Sequence, residues 1–221
     1  MQLKSGKCKD TAGITAELLK AGGDVIESHL LKLFNDIITP GQEPPEQWRR
    51  TTISVIYKSG DPQLPQNYRP IAIIPLLYKL MSRLLCNRLE ANFESEQSPD
   101  QAGFRKGFCT EDHLFTTTLL YEQSYEWQLP LWAAAIDFKK AFDCVDHQHL
   151  WNALRQQNVP DSYISLLQNL YNDQTATVKT DVNSKEFSIQ RGVKQGDPLS
   201  SYLFSTFSDK SSLRGNVKAL G

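Results

Sequence analysis

A run of six apolar residues, 131–136 (LWAAAI), ends abruptly at Asp137. A wholly apolar run of this length is typical of a strand that is covered on both faces. The sequence therefore predicts a buried strand that ends with a carboxylate at the rim of a sheet. A carboxylate there suits Mg²⁺, which commonly takes one or two carboxylates together with substrate phosphates. An aspartate that only begins a turn is the alternative interpretation.

The segments before this run mix helix and strand. Helical periodicity covers residues 14–38 and is interrupted by two glycines at 22–23, with Asp24 as a candidate cap of the second helix. Residues 51–57 (TTISVIY) are β-branched and aromatic and therefore predict a strand. Residues 58–70 contain three prolines and one glycine and predict a loop.

The other elements are predicted from helix starts and from one hairpin. Helices are expected to begin at five positions: Pro75, Thr110, Asp146, Asp161 and Tyr202. Residues 176–180 and 186–190 predict a hairpin, and residues 192–200 predict a loop. Together these elements predict an α+β fold rather than a regular βαβ array.

Charge is uneven along a chain whose net charge is only −1. Residues 49–106 hold nine Lys/Arg against five Asp/Glu, residues 110–190 hold five against eleven, and residues 191–221 hold five against two. Two basic regions around an acidic one would suit an enzyme that binds phosphates on its walls and cations at its centre. Chance unevenness on a solvated surface explains the same counts.

Several classes of protein are disfavoured by the sequence. No apolar stretch approaches the roughly 18–20 residues of a membrane-spanning helix, and the first residues lack the apolar region of a secretory signal. The four cysteines are far apart and form no C-x-x-C pair, which disfavours a zinc site or a disulfide scaffold. We therefore expect an intracellular protein of the cytoplasm or nucleus, without a membrane partner.

Loops rich in glycine and proline hold further candidate binding residues. Residues 191–200 (RGVKQGDPLS) can approach a substrate closely, with Gln195 available for hydrogen bonds and Lys194 for a phosphate. A connector between a hairpin and a helix explains this loop equally well. Basic residues that suit phosphate contact, or that are only solvated, stand in three further loops: residues 58–61, 67–71 and 101–107.

Taken in order, these segments resemble the reverse-transcriptase domain of non-LTR (LINE-type) retrotransposons. The resemblance covers about residues 13–204. It is carried by GITAELLKAGGD at 13–24, WRRTTISVIYKSGD at 48–61, NYRPI at 67–71, NRL at 87–89, QAGFRKG at 101–107, IDFKKAFDCVDH at 136–147 and RGVKQGDPLS at 191–200. It implies a right-hand polymerase fold with fingers and a partial palm, and without a thumb. It divides the chain into a helical leader (1–38), the fingers and partial palm (39–204) and a divergent tail (205–221).

The resemblance also implies roles for single residues. Asp137 is similar to the palm aspartate that binds the catalytic Mg²⁺ ions, with the backbone carbonyl of Phe138 as a further ligand. Phe142 resembles the aromatic gate that excludes a 2′-hydroxyl and so selects deoxynucleotides. Gln195 and Gly196 match the loop that lies under the incoming nucleotide and the template base.

Basic residues are implied to contact the nucleotide and the nucleic acids. Lys58 and Arg69 resemble finger residues that hold the triphosphate, and Arg105 and Lys106 resemble contacts to nucleic acid. The implied partners are an RNA template, a DNA primer and deoxynucleoside triphosphates. Two nearby acidic residues are assigned only turn and capping roles: Asp143 and Asp146.

The chain lacks one motif of the family. Two-metal chemistry needs several carboxylates, and the family takes the others from an aromatic-x-Asp-Asp hairpin after the Gln-Gly loop. No Asp-Asp pair occurs in the 221 residues, and Asp209 stands alone. The sequence therefore predicts a nucleotidyltransferase domain that is truncated before this motif and inactive by itself, as a relic or a piece of a longer product. A non-catalytic RNA- or DNA-binding module that reuses the fingers is the competing hypothesis.

The position of Asp137 gives the first testable prediction. We expect Asp137 to end a central palm strand and to lie near Gln195, because the apolar run precedes Asp137 and because glycine and proline fix the loop around Gln195. A structure with these two residues on opposite sides of the molecule would contradict this expectation.

Overall fold

Two helices at the N-terminal side are separated at a pair of glycines, as predicted. The computed structural model describes residues 5–6, 9–98 and 101–210, and in it α1 is Ala16–Ala21 and α2 is Gly23–Ile38. Gly23 has a φ of 50°, a left-handed conformation that glycine adopts readily. The prediction that Asp24 caps α2 is wrong, because the helix begins one residue earlier and Asp24 lies in its first turn.

A four-stranded sheet joins two distant parts of the chain. Its strands, in the order β2-β1-β3-β4, are β1 (Arg50–Tyr57), β2 (Tyr68–Ile73), β3 (Thr175–Lys179) and β4 (Phe187–Ser188). β1 pairs antiparallel with β2 and parallel with β3, and β3 pairs antiparallel with β4. The predicted first strand and the predicted hairpin are thus confirmed.

β2 is a strand that the sequence did not predict. It contains Pro70, which lies opposite Val55 of β1. Because β2 is at the edge of the sheet, a residue without an N–H group is tolerated there. The prediction of a loop over residues 58–70 is therefore wrong for its last three residues.

Five α-helices follow α2 in the described ranges, and their predicted starts are confirmed to within two residues. They are α3 (Leu76–Glu96), α4 (Thr110–Glu126), α5 (His147–Gln156), α6 (Asp161–Tyr171) and α7 (Ser200–Lys210). The carboxylate of Asp146 accepts a hydrogen bond from His149 N (2.8 Å) and caps α5, as predicted. None of the helices in the described ranges is long and apolar enough to span a membrane.

One face of α3 forms the centre of the hydrophobic core. Its residues recur at the three- and four-residue spacing of a buried helical face: Tyr78, Met81, Leu85, Leu89 and Phe93. α7 contacts both α3 and α5, and α5 contacts α6. The core therefore places α3 beneath the loop that leads into α7.

The prediction of a buried strand at residues 131–136 is wrong. These residues form no helix or strand, and all of them are exposed. A strand is held by hydrogen bonds to a neighbouring strand, and none of the described strands pairs with this run. The preceding helix, α4, has no buried residue either. An exposed, partly apolar surface therefore extends from α4 to Phe138.

The four tryptophans offer a test of this arrangement. Trp127 and Trp132 are 61% and 92% exposed, whereas Trp48 and Trp151 are 3% and 5% exposed. Iodide should therefore quench one part of the tryptophan emission, and the Trp127→Phe/Trp132→Phe variant should lose that part. If residues 131–136 were a buried strand, the Trp132→Phe substitution alone would leave the quenchable emission unchanged.

Candidate nucleotide-binding site

The loop before α7 lies against a short 3₁₀ turn formed by Ala141–Cys144. Two backbone hydrogen bonds of 2.8 Å join them, one from Val193 N to Phe142 O and one from Gly192 N to Val145 O. The structure therefore brings together the segment after Asp137 and the Gln-Gly loop, which are far apart in the sequence.

Gly192 makes this close approach possible. Its φ is 98°, in the left-handed region that favours glycine. A Cβ atom at this position would lie 3.1 Å from both Asp143 Cα and Phe142 O. These are backbone atoms of the facing turn, so they cannot move aside without moving the turn. The contact therefore requires a glycine.

Gln195 and Gly196 lie at the outer edge of the sheet. Ala72 N of β2 donates a hydrogen bond to Gln195 O (3.1 Å). Gly196 has a φ of 106° and is exposed, whereas Gln195 is half-buried. A cleft of about 210 Å³ lies beside this edge and is lined by Thr51, Ile53, Pro70, Ala72, Asp143, Gln174, Ile189, Arg191, Gly192, Val193, Lys194 and Gln195.

Three phenylalanines form a row of ring contacts beside the loop. The ring of Phe142 stacks on Phe204 of α7, with centroids 5.0 Å apart. The edge of Phe104 meets Phe142 at 6.0 Å. The guanidinium group of Arg105 lies 4.9 Å from the centroid of the Phe108 ring. The QAGFRKG segment is therefore also near the turn.

Two charged residues flank the Gln-Gly pair and are buried. The ammonium group of Lys194 donates a hydrogen bond to Trp48 O (3.2 Å) and lies 4.1 Å from the centroid of the Tyr78 ring. The carboxylate of Asp197 accepts a hydrogen bond from the hydroxyl of Ser82 on α3. The proposal that Lys194 contacts a phosphate is wrong, because its ammonium group is buried and bound to protein groups.

Burial disfavours the charged form of both residues. It lowers the pKa of Lys194 to about 8, against the attraction of Asp197. It raises the pKa of Asp197 to about 6, although the hydrogen bond from Ser82 and the charge of Lys194 act in the other direction. Oδ2 of Asp197 has no hydrogen-bond partner among the described residues. The two charges therefore cost stability at neutral pH.

Lys58 and Arg69 lie on the β1–β2 hairpin but do not line the cleft. Lys58 follows β1, and its N–H donates to Asn67 O (2.8 Å). Arg69 precedes Pro70, which does line the cleft. Because side chains alternate along a strand, Arg69 points to the other face of the hairpin. Both basic side chains are exposed.

Asp137 and Phe138 lie in the exposed segment before the turn. Neither of them lines the cleft, whereas Asp143 does. Within the described ranges, no group of three or more His, Cys, Asp or Glu residues could hold a metal ion. These residues therefore do not fit a pair of Mg²⁺ ions, which needs several carboxylates. The expected closeness of Asp137 to Gln195 stays a prediction.

The burial of the polar residues of the site was not predicted from the sequence. Lys194 and Asp197 stand between the apolar residues Val193 and Leu199, and all four are buried. Ser82 interrupts the apolar face of α3. A charged or polar residue within an apolar pattern can indicate a buried polar group. The glycines and the proline of the loop indicated an exposed connector instead.

Comparisons with known proteins identify the family. The reverse transcriptase (RNA-dependent DNA polymerase) family matches residues 56–216. The retrovirus-related Pol polyprotein from the type-1 retrotransposable element R2 of Popillia japonica is 33% identical over 172 residues, which are 75% of this chain and 23% of that protein. The probable RNA-directed DNA polymerase from transposon BS of Drosophila melanogaster is 33% identical over 186 residues, 81% of this chain and 20% of that protein. The RNA-directed DNA polymerase from mobile element jockey of the same species is 30% identical over 182 residues, which are 80% of this chain and 20% of that protein.

The chain therefore belongs to the reverse transcriptase family. It is a reverse-transcriptase domain of the non-LTR retrotransposon type. It spans about a fifth of the length of these curated relatives. The family match begins within β1 and includes ten of the twelve residues that line the cleft, the phenylalanine row and both buried charges.

Replacing Asp197 should change how stability depends on pH. Its pKa is about 6 in the folded chain against an ordinary value of 3.8, so between these values the folded chain keeps a proton that the unfolded chain releases. The free energy of unfolding should therefore fall as the pH rises from about 4 to about 6, by on the order of 1–3 kcal/mol from this group. Asp197→Asn should remove this fall.

Urea unfolding at about pH 4 and about pH 6.5 measures the difference. Asp181→Asn is the matched control, because Asp181 is exposed in the β3–β4 hairpin, and it should keep the wild-type profile. Identical pH profiles for the two variants would show that Asp197 is not the titrating group.

Proposed function

We propose that this chain forms the fingers and part of the palm of a right-hand RNA-directed DNA polymerase, and that it holds the incoming nucleotide against the template. The position of Gln195 and Gly196 at the edge of β2, beside the turn that contains Phe142, is the observation that carries this proposal. The glycine backbone and the amide side chain belong to the loop whose Val193 N donates to Phe142 O of that turn. We assign residues 39–204 to the fingers and partial palm.

Gln195, Gly196 and Phe142 are the proposed contacts to the base and the sugar. Gly196 is exposed and has no side chain, so a flat base can approach its backbone closely. The ring of Phe142 is held between Phe104 and Phe204. A ring fixed in this way can exclude a 2′-hydroxyl by contact, and this would select deoxynucleotides over ribonucleotides.

Basic residues, of which Arg105 is half-buried and the others are exposed, are the proposed contacts to phosphate groups. Lys58 and Arg69 would contact the triphosphate from the exposed part of the hairpin, outside the cleft, and Arg105 and Lys106 would contact the nucleic acid strands. The ammonium group of Lys106 lies 3.6 Å from the carboxylate of Glu90 on the surface. Such an exposed ion pair is weak, so a phosphate can replace the carboxylate.

Asp137 is the proposed ligand of Mg²⁺, together with the backbone carbonyl of Phe138. Mg²⁺ held there would supply positive charge against a triphosphate. The described residues supply no cluster of carboxylates around Asp137. We therefore propose that the 221-residue chain does not extend a primer by itself.

Primer extension tests this proposal. The purified chain, an annealed RNA template and DNA primer, deoxynucleoside triphosphates and Mg²⁺ should give no product longer than the primer. The loss of a two-metal site removes several kcal/mol of transition-state stabilisation, and each 1.36 kcal/mol is about tenfold in rate. Extension by the wild type that disappears in Asp137→Ala would show that the chain completes its own site.

Nucleic-acid binding by the basic residues should be weak and sensitive to salt. Each phosphate contact that is lost should reduce the slope of log affinity against log salt by about 0.7–0.9. Fluorescence anisotropy with a labelled RNA–DNA duplex should show a shallower slope for the variant in which Lys58, Arg69, Arg105 and Lys106 are changed to glutamate. Lys185→Glu, in the β3–β4 hairpin, is the control. Equal slopes in all three proteins would rule out these four contacts.

A further inference from the structure

We propose that Lys194, Asp197 and Ser82 are positioning residues that hold Gln195 and Gly196 in place at the edge of β2. The two buried charges stand immediately before and after the Gln-Gly pair. The use of this position for nucleotide binding rests on the proposed function, whereas the position itself is a property of the free chain.

Lys194 fixes the first end of the Gln-Gly pair to the residues that precede β1. Its ammonium group donates to Trp48 O (3.2 Å) and lies over the Tyr78 ring at 4.1 Å. Trp48 ends the 3₁₀ turn Glu46–Trp48, just before β1 begins at Arg50. This end of the loop is therefore tied to the same sheet that receives Gln195.

Asp197 fixes the second end of the pair to α3. The hydroxyl of Ser82 donates to Asp197 Oδ1 and accepts a hydrogen bond from Leu199 N (3.3 Å). One hydroxyl thus binds the loop at two points. Asp197 N also donates to Lys194 O (3.1 Å), which closes the loop into a turn between the two anchors.

The energetics favour a positioning role over a stabilising one. Burial of these two charges costs stability. Replacing them with apolar side chains of similar size would often leave the free energy of unfolding unchanged or raise it. The ammonium group and the carboxylate find their hydrogen-bond partners at Trp48 O and the Ser82 hydroxyl. A loop with apolar side chains at these two positions would lose both side-chain anchors and keep only its backbone hydrogen bonds. The charges therefore determine where the Gln-Gly pair sits.

Hydrogen exchange of single amides, measured by NMR in the free chain, tests this proposal. Ala72 N–H, which donates to Gln195 O, reports the position of the loop, and Gln157 N–H, which donates to Ala153 O and belongs to a fully buried residue, is the reference amide. In Lys194→Met, exchange at Ala72 should become about tenfold faster relative to Gln157. Lys185→Met, on the exposed hairpin, should leave the ratio unchanged.

The double variant Lys194→Met/Asp197→Leu separates position from stability. It carries neither buried charge, so it should fold at least as well as either single variant. Ala72 should still exchange about tenfold faster relative to Gln157 than in the wild type. If Ala72 and Gln157 change by the same factor in both variants, so that their ratio equals the wild-type ratio, the proposal is wrong. Failure to bind a nucleotide would not alter these outcomes.

Discussion

The hydroxyl of Ser82 connects the central helix of the core to the loop of the candidate site. It donates to Asp197 and accepts from Leu199 N, so the start of α7 and the end of the loop depend on one buried side chain of α3. α7 in turn supplies Phe204, which stacks on Phe142. The geometry of the aromatic row and of the Gln-Gly pair therefore depends on how α3 and α7 pack.

The loop also has two features that cost stability. Burial lowers the pKa of Lys194 and raises the pKa of Asp197, which means that both charges are held against their solvation preference. Gly192 adds a second constraint, because only a glycine allows the loop to meet the backbone of the facing turn. Costs of this kind are typical of functional sites, where a fixed geometry matters more than the lowest free energy.

Residues 131–136 show the limit of reading structure from hydrophobicity. Their composition suits a buried strand, but a strand also needs a neighbour with free N–H and C=O groups. None of the described strands provides this neighbour. Asp137 consequently lies in an exposed segment. Mg²⁺ binding was expected of a carboxylate at the end of a sheet strand, and residues 131–138 do not pair with the described sheet.

Local patterns were enough to determine most helices, the first strand, the β3–β4 hairpin and the family, because caps, periodicity and short motifs depend on residues that are close in the sequence. They could not determine β2, because the tolerance of Pro70 follows from its place at the edge of a sheet. They could not determine the roles of Lys194, Asp197 and Ser82 either. Whether a charged side chain meets solvent or a buried partner is decided by segments that lie more than 100 residues apart, and only the tertiary structure brings those segments together.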